Sequence, residues 1–353
     1  MGRRGGGRAT SVSRLDPSAL TPPVPPELDR FLAATDPRPG DATARRSGVQ
    51  AVGRPGKVGV IHGALGVGAS GHTVLRDRFV KAPMHLTRPL YVDPTDPDHA
   101  CVYLCMTGGG IAENDRIGQR FRVASGASAT VTTQAATNVH RMNAGFGSQW
   151  TVVEQEPGSV VEYLPWHTTL FAGSRLVQST DFDVAPGATL MASEVLLVGR
   201  LARGECHEFD ALALTSRVVR DGLPLMSDTV CVVGRGSGTS EMLFSRWPVW
   251  GTLLIVPAEP DGGRGTDAVV AAVRDACPTT SLIGSYRAGQ PGEVAGSPDR
   301  EVVVGVTTMV ADQGVVVRVA GHSPVAVRAT VQRAHDVARR ILLGRPAFDL
   351  RCM

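Results

Sequence analysis

From Lys57 to about residue 256 the chain alternates apolar and polar positions with a period of two. Phe121 and Val123 are interleaved with Arg120 and Arg122, and Ala127, Ala129 and Val131 with Ser128, Thr130 and Thr132. Extended backbone sends successive side chains to opposite faces, so each run predicts a strand with one face on a core. Residues 160–164, 180–184 and 189–198 repeat the signal, and Glu156-Pro157-Gly158 and Ala185-Pro186-Gly187 punctuate it as turns. Many strands with no helical pattern between them predict an all-β body.

The period changes only near the C-terminal end. Residues 267–276 read as a helix capped by Thr266 and stopped before Pro278. A clearer helix follows a strand at 315–319. Ser323 is its N-cap and Pro324 its first helical residue, and Val327, Val331, Ala334, Ala338 and Ile341 fall on one face. Arg339 and Arg340 occupy its last turn, Gly344 follows, and Pro346 forbids continuation. The plain expectation is that this face packs on the sheet.

Residues 1–56 show no sustained period. They are rich in Gly, Pro, Arg and Ser, include Pro22-Pro23-Val24-Pro25-Pro26, and have room for one short helical turn at 27–34. That composition predicts a disordered arm ahead of one folded unit at 57–353. Charge follows the same division. Residues 1–57 hold ten Lys or Arg and five Asp or Glu, so a chain of net charge +3 leaves −2 for the remainder. A basic arm on a nearly neutral body lacks the basic folded face of a nucleic-acid binder. No apolar run is long enough to span a membrane and no apolar segment follows the basic N-terminus, so the expected location is the cytoplasm. Six scattered cysteines without a C-x-x-C fit free thiols. Cys101 and Cys105, four apart on a strand, would lie about 13 Å from each other, too far to share a metal ion.

Three stretches carry a resemblance. The first is Gly108-Gly109-Gly110-Ile111-Ala112-Glu113-Asn114-Asp115-Arg116-Ile117, and the second runs from Ala127 to Thr132-Thr133-Gln134-Ala135-Ala136-Thr137. The third starts at Glu162-Tyr163-Leu164-Pro165, passes Phe171-Ala172-Gly173-Ser174-Arg175 and Glu194, and ends in Gly199-Arg200-Leu201-Ala202-Arg203-Gly204-Glu205. In order and spacing these resemble the UreD (UreH) family of urease accessory proteins over about residues 58–350. Asn114 stands where that family usually has Gly, and Asn tolerates the positive φ such a position demands. His167 stands where it usually has a second Pro, and the finish Leu350-Arg351-Cys352-Met353 departs from the family's usual ending.

The resemblance implies an elongated, many-stranded β body, solenoid-like or sandwich-like, with a few helices including one near the C-terminus. It also implies a non-enzymatic scaffold that binds a UreF-like protein and, through it, a UreG-like GTPase. That complex docks on apo-urease and delivers nickel through an internal tunnel, with no tightly bound cofactor, no nucleic acid and no membrane. Candidates for a transient nickel path are Asp115, Glu162, Glu194, Glu205 and His207. Gly109, Gly110, Asn114, Thr132, Thr133, Gln134, Pro165, Gly199, Arg200 and Gly204 are expected to shape the backbone. The plainer alternative has Asp115 capping a turn and the glutamates paired with Arg200 or Arg203. Strand alternation would put Glu205 and His207 on one face, with Cys206 and Glu208 on the other.

Two other classes compete. Gly66, Gly68 and Gly71 match G-x-G-x-x-G after a strand-like 58–61, which would suit an oxidoreductase or hydrolase site only if a helix began at Gly71. His72-Thr73-Val74-Leu75 reads instead as a strand, making the segment a hairpin. No phosphate-binding G-x-x-x-x-G-K-[ST] and no G-x-S-x-G elbow occurs. The third class is an interaction protein that has lost nickel handling, for which Asn114 and His167 are the motive. For the arm the expectation is direct. Removing residues 1–50 should leave a cooperative thermal transition, and its loss would show that the arm is part of the fold.

Overall fold

The computed structural model describes residues 24–28, 56–241, 243–259, 264–278 and 302–350. The chain enters as β1 (Val58–Val67), turns back as antiparallel β2 (Thr73–Lys81), and passes through β3 (Met84–Leu86) to β4 (Ala100–Met106). From there it winds between two facing sheets. β5 (Arg116–Val123), β8 (Gly147–Gln155), β11 (Arg175–Val184) and β13 (Ala211–Arg220) stack in parallel on β1. β6 (Ser128–Thr133), β9 (Val160–Leu164) and β12 (Thr189–Leu197) stack in parallel on β4. Parallel neighbours need a crossover, and here each crossover is itself a strand of the other sheet. The result is a mainly β solenoid of stacked coils, with the short β7 (Thr137–Val139) and β10 (Thr168–Leu170) beside the second sheet.

One corner of the coils is a ladder of glycines. Gly126, Gly158 and Gly187 all have φ between 72° and 77°, and Gly158 N donates to Gly187 O. Each lies in a Gly-containing turn between a first-sheet and a second-sheet strand, where a left-handed residue reverses the chain without a Cβ penalty. The ends of the solenoid are antiparallel. β14 (Leu223–Val233) closes the first sheet, while β15 (Val249–Val256), β17 (Val315–Gly321) and β16 (Val302–Thr308) extend the second.

Two helices, α1 (Arg264–Ala276) and α2 (Pro324–Leu343), cover the outer face of that extension. α2 follows its sequence signals. The Ser323 side chain accepts from Ala326 N, Pro324 opens the helix, and Gly344 ends it in the left-handed region. Val327, Val331, Ala334 and Ala338 pack on Val249, Leu253, Val317 and Val319, each buried valine stabilising by about 1.5–3 kcal/mol. Gly251 permits the close approach, since a Cβ there would sit 2.7 Å from Val331. Ile341 instead is 40% exposed. In α1 the helix begins before Thr266, whose hydroxyl donates to Asp312 O rather than capping.

Two further expectations change. Within the arm, Val24 and Leu28 pack against Phe146, Val177, Ala211 and Ala213 on the outer face of the first sheet. Leu28 is fully buried because an apolar patch lies within its reach, so residues 24–28 depart from the disordered reading. The rest of the arm lies outside the described residues. Arg339, placed by sequence in the last turn of α2, is fully buried and pairs with Glu162, for which the sequence suggested Arg200 or Arg203. Its Nε donates to Glu162 Oε1 at 2.7 Å, and its other nitrogens donate to Asp93 and to Pro346 O. Thr130 donates to Glu162 Oε2, His335 Nε2 lies 3.6 Å from the same oxygen, and Phe348 packs edge-on to His99 above the cluster. Burial alone would raise the Glu162 pKa, but His335, His99 and Arg339 hold it well below the usual carboxylate range.

Removing one partner of a buried charge cluster strands the others in a low-dielectric interior. Arg339→Gln should therefore lower the urea unfolding free energy by about 3–5 kcal/mol. Arg340→Gln, which breaks only an exposed pair with Asp336, should cost under about 0.5 kcal/mol.

Candidate functional site

Inward-facing positions of the solenoid are mostly apolar, and one row is not. Register places Gln119 of β5 beside Thr151 of β8, Thr151 beside Thr180 of β11, and Thr180 beside Ser216 of β13. Ser216 in turn pairs with Asp228 of β14. On the second sheet Glu194 of β12 pairs with Thr252 of β15, and Thr252 with Arg318 of β17. The two rows face each other and run along the solenoid axis, because neighbouring strands are stacked in that direction.

A cavity of 230 Å³ lies between them, lined by Gln119, Gln178, Thr180, Glu194, Ser216 and Thr252 among others. Thr151 Oγ1 and Tyr163 OH donate to Gln119 Oε1 at 3.3 and 3.5 Å, and Gln178 Nε2 donates to Glu194 Oε1. Arg318 donates to Thr252 Oγ1 at 2.8 Å and to Asp228 Oδ2 at 2.5 Å, bridging the sheets at the end of the row. Glu194 keeps some surface toward the cavity but is withdrawn from bulk water. Burial pushes its pKa up to about 7, against the lowering contributed by the Gln178 hydrogen bond and by Arg318.

The mouth of this cavity is where the sequence motifs meet. Gly109, Gly110, Gln134, Ala135, Asn138, Pro165 and Trp166 line it, although they come from three separate stretches. Thr132 Oγ1 donates to Leu164 O at 2.6 Å and Trp166 N donates to Thr133 Oγ1 at 2.8 Å, fastening one stretch to the next. Gly110 has φ 133°, and a Cβ there would fall 2.1 Å from Asn138 O, so only glycine fits. Asn114 has φ 61° and keeps the turn, as its side chain allows. Burial, then Arg328, lowers the pKa of His167 to about 4, which leaves the imidazole neutral near pH 7.

Of the five residues considered for a nickel path, Glu194 alone lines the cavity. Asp115 accepts from Lys57 N and Ala112 N at 2.8 and 2.9 Å and pairs with Lys57 Nζ at 3.0 Å, which fixes the turn before β5. Glu162 points the other way, into the Arg339 cluster. Glu205 is paired with Arg200, Nε to Oε2 at 2.8 Å, and that guanidinium holds its carboxyl below the usual range while lying over Phe171. The segment around it is a loop and not a strand, and His207 has φ 56°, so the alternation expected for Glu205 through Glu208 does not apply. Gly199 meets that loop closely, since a Cβ would lie 2.1 Å from Glu205 O. His207 is buried with neither ring nitrogen hydrogen-bonded, and burial lowers its pKa.

Among the described residues no three His, Cys, Asp or Glu side chains converge on one metal position. The glycine motif at 66–71 is the tight turn of the β1–β2 hairpin, with Gly68 N donating to His72 O and β2 starting at Thr73. No helix begins there to hold a phosphate. Sequence reading missed Gln119, Gln178, Thr180, Ser216 and Asp228. Their signal was a polar residue at the inward parity of otherwise apolar strands. None of the described helices is long and apolar enough to cross a membrane.

A family model described as UreD urease accessory protein matches residues 62–353. The chain is similar to urease accessory protein UreD 2 of Streptomyces griseus, with 37% identity over 303 residues, 85% of this chain and 96% of that protein. It is also similar to urease accessory protein UreD of Haloarcula marismortui, with 32% identity over 298 residues, 84% of this chain and 91% of that protein.

The raised pKa of Glu194 has a thermodynamic consequence. The folded state prefers the protonated carboxyl, so this contribution is fully present below the ordinary value of 4.5 and is lost as pH rises to about 7. Glu194→Gln should abolish that pH dependence and exceed the native protein in stability above pH 7, by on the order of 3 kcal/mol. Urea denaturation between pH 5 and 8 measures it, and parallel profiles for the two proteins would remove the assignment.

Proposed function

The chain belongs to the UreD family of urease accessory proteins and its role is in urease maturation; we propose that it is the scaffold through which nickel reaches apo-urease. The interior polar row carries this reading. A transit path needs ligands that hold a divalent cation without trapping it. A buried carboxylate costs several kcal/mol unless it is paired, hydrated or bound to a cation. Glu194 lies in a cavity with room for water, beside neutral oxygens of Gln178, Thr180, Ser216 and Thr252. One charge among neutral hard donors suits weak, exchangeable binding, whereas a closed set of carboxylates and imidazoles would store the ion.

On this reading the protein acts in the cytoplasm and performs no catalysis itself. A UreF-like protein binds it, a UreG-like GTPase joins through that partner, and apo-urease receives the ion. The convergence of the Gly109-Gly110, Thr133-Gln134 and Leu164-Pro165 stretches on one mouth supports a shared opening for entry or exit. Glu162 is assigned to holding α2 on the solenoid instead of to the path, and Glu205 to bracing the loop after Gly199.

The test is co-expression with urease and the other accessory proteins. Glu194→Gln preserves shape and hydrogen bonding but removes the charge. Nickel content and activity of the purified urease should fall several-fold while the accessory complex still copurifies. Glu205→Gln should leave nickel content much closer to that of the native system. Normal nickel loading with Glu194→Gln would overturn the path.

A further inference from the structure

The interior row ends in a pair of opposite charges, and that ending is unlike its other end. At β5 the row stops on Gln119, neutral and closed in by Thr151 and Tyr163. At the β14 and β17 end, Asp228 and Arg318 face each other from the two sheets, each with more than a third of its side chain exposed. These are inward-parity positions, since Asp228 pairs with Ser216 and Arg318 with Thr252, both of which line the cavity. Solvent therefore reaches the last rung of a row whose rungs nearer β5, Gln119, Thr151 and Thr180, are buried. Nothing else in the row carries a positive charge.

We infer that Arg318 and Asp228 form a gate at a second mouth of the cavity, shut while paired, with Asp228 the next oxygen ligand for a divalent cation when Arg318 swings outward. This rests on the path reading above and adds to it a second mouth and the carboxylate that lines it. Three observations support it. The paired guanidinium lies where a cation leaving Glu194 along the row would have to pass, and its charge repels that cation. Thr252 holds the closed position through the 2.8 Å bond from Arg318. Arg318 has a long, flexible side chain that is 39% exposed, so opening requires rotamer changes and no backbone movement. Once it swings out, Asp228 is left as a carboxylate at the cavity rim, able to offer the charge compensation that the guanidinium supplied.

Thiol accessibility tests the gate independently of nickel. A cysteine at the cavity wall, Ser216→Cys, is treated with a cationic and an anionic methanethiosulfonate reagent, and its labelling is followed by peptide mass spectrometry. With Arg318 present, labelling should be slow. Adding Arg318→Gln should accelerate the cationic reagent about fivefold, the scale set by loss of a half-exposed ion pair, and by more than it accelerates the anionic one. Asp228→Asn should also open the cavity, but without favouring the cation. Unchanged labelling in Arg318→Gln, or fast labelling while the pair is intact, would overturn the gate. Thermal transitions of both variants confirm that they fold. A second arm measures nickel in co-expressed urease. Asp228→Asn should lower it, and Arg318→Gln should not. If Asp228→Asn loads urease normally, Asp228 is not a ligand on the path. If Glu194→Gln also leaves nickel unchanged, it is the path that fails, and the labelling result still decides the gate.

Discussion

In a solenoid of two facing sheets, the pleat sends alternate side chains between the sheets and away from them, and coils stack only if every strand keeps the same parity. The observed registers maintain this from β5 to β13, so Gln119, Thr151, Thr180 and Ser216 fall in line. A slip of one residue in any coil would turn its polar residue outward and put an exterior residue in the core. The corner glycines Gly126, Gly158 and Gly187 fix the length of each turn and so protect that register. The continuity of the interior row is a consequence of this constraint. It needs no separate arrangement of its members.

Parity also separates two glutamates that look alike in sequence. Glu162 and Glu194 both sit on second-sheet strands within family-like segments, but the first faces α2 and the second faces the cavity. Their environments then diverge. Glu162 meets Arg339 and His335, with His99 one hydroxyl away through Thr130, and is held ionised. Glu194 meets an amide and hydroxyls, with Arg318 farther along the row, and its pKa rises to about 7. A satisfied buried charge fixes one geometry and belongs to structure. A carboxyl left beside a cavity with neutral neighbours can exchange its proton for another cation, which makes it the better candidate for function.

The charge cluster around Arg339 explains how an open-ended β stack is completed. α2 covers the outer face of β12, β15 and β17, and Arg339 ties that helix to Glu162 on β9 and to Asp93 before β4. The segment after Gly344 returns across the same region, with Arg345 paired to Asp96 and Ala347 N donating to Asp336. Elements more than 170 residues apart in sequence are thereby joined by one cation.

The sequence by itself determined what depends on near neighbours along the chain. Period-two alternation gave the strands, the Pro-Gly turns gave corners, and Ser323, Pro324 and Gly344 gave α2, because strand pleat, turn geometry and helix capping are local. Asn114 could be assigned a positive φ for the same reason. The family motifs were legible, and so was the glycine hairpin at 66–71. What only the tertiary structure decided is which strands stack, and hence which face of each is inside. That choice buried Arg339, turned Glu162 toward a helix, drew Leu28 out of the arm onto the first sheet, and aligned five polar residues from five strands into one row. Each of those residues is an ordinary polar or apolar position in its own segment. Their meaning comes from the stacking of coils, and stacking is a relation between residues about thirty apart that no local pattern encodes.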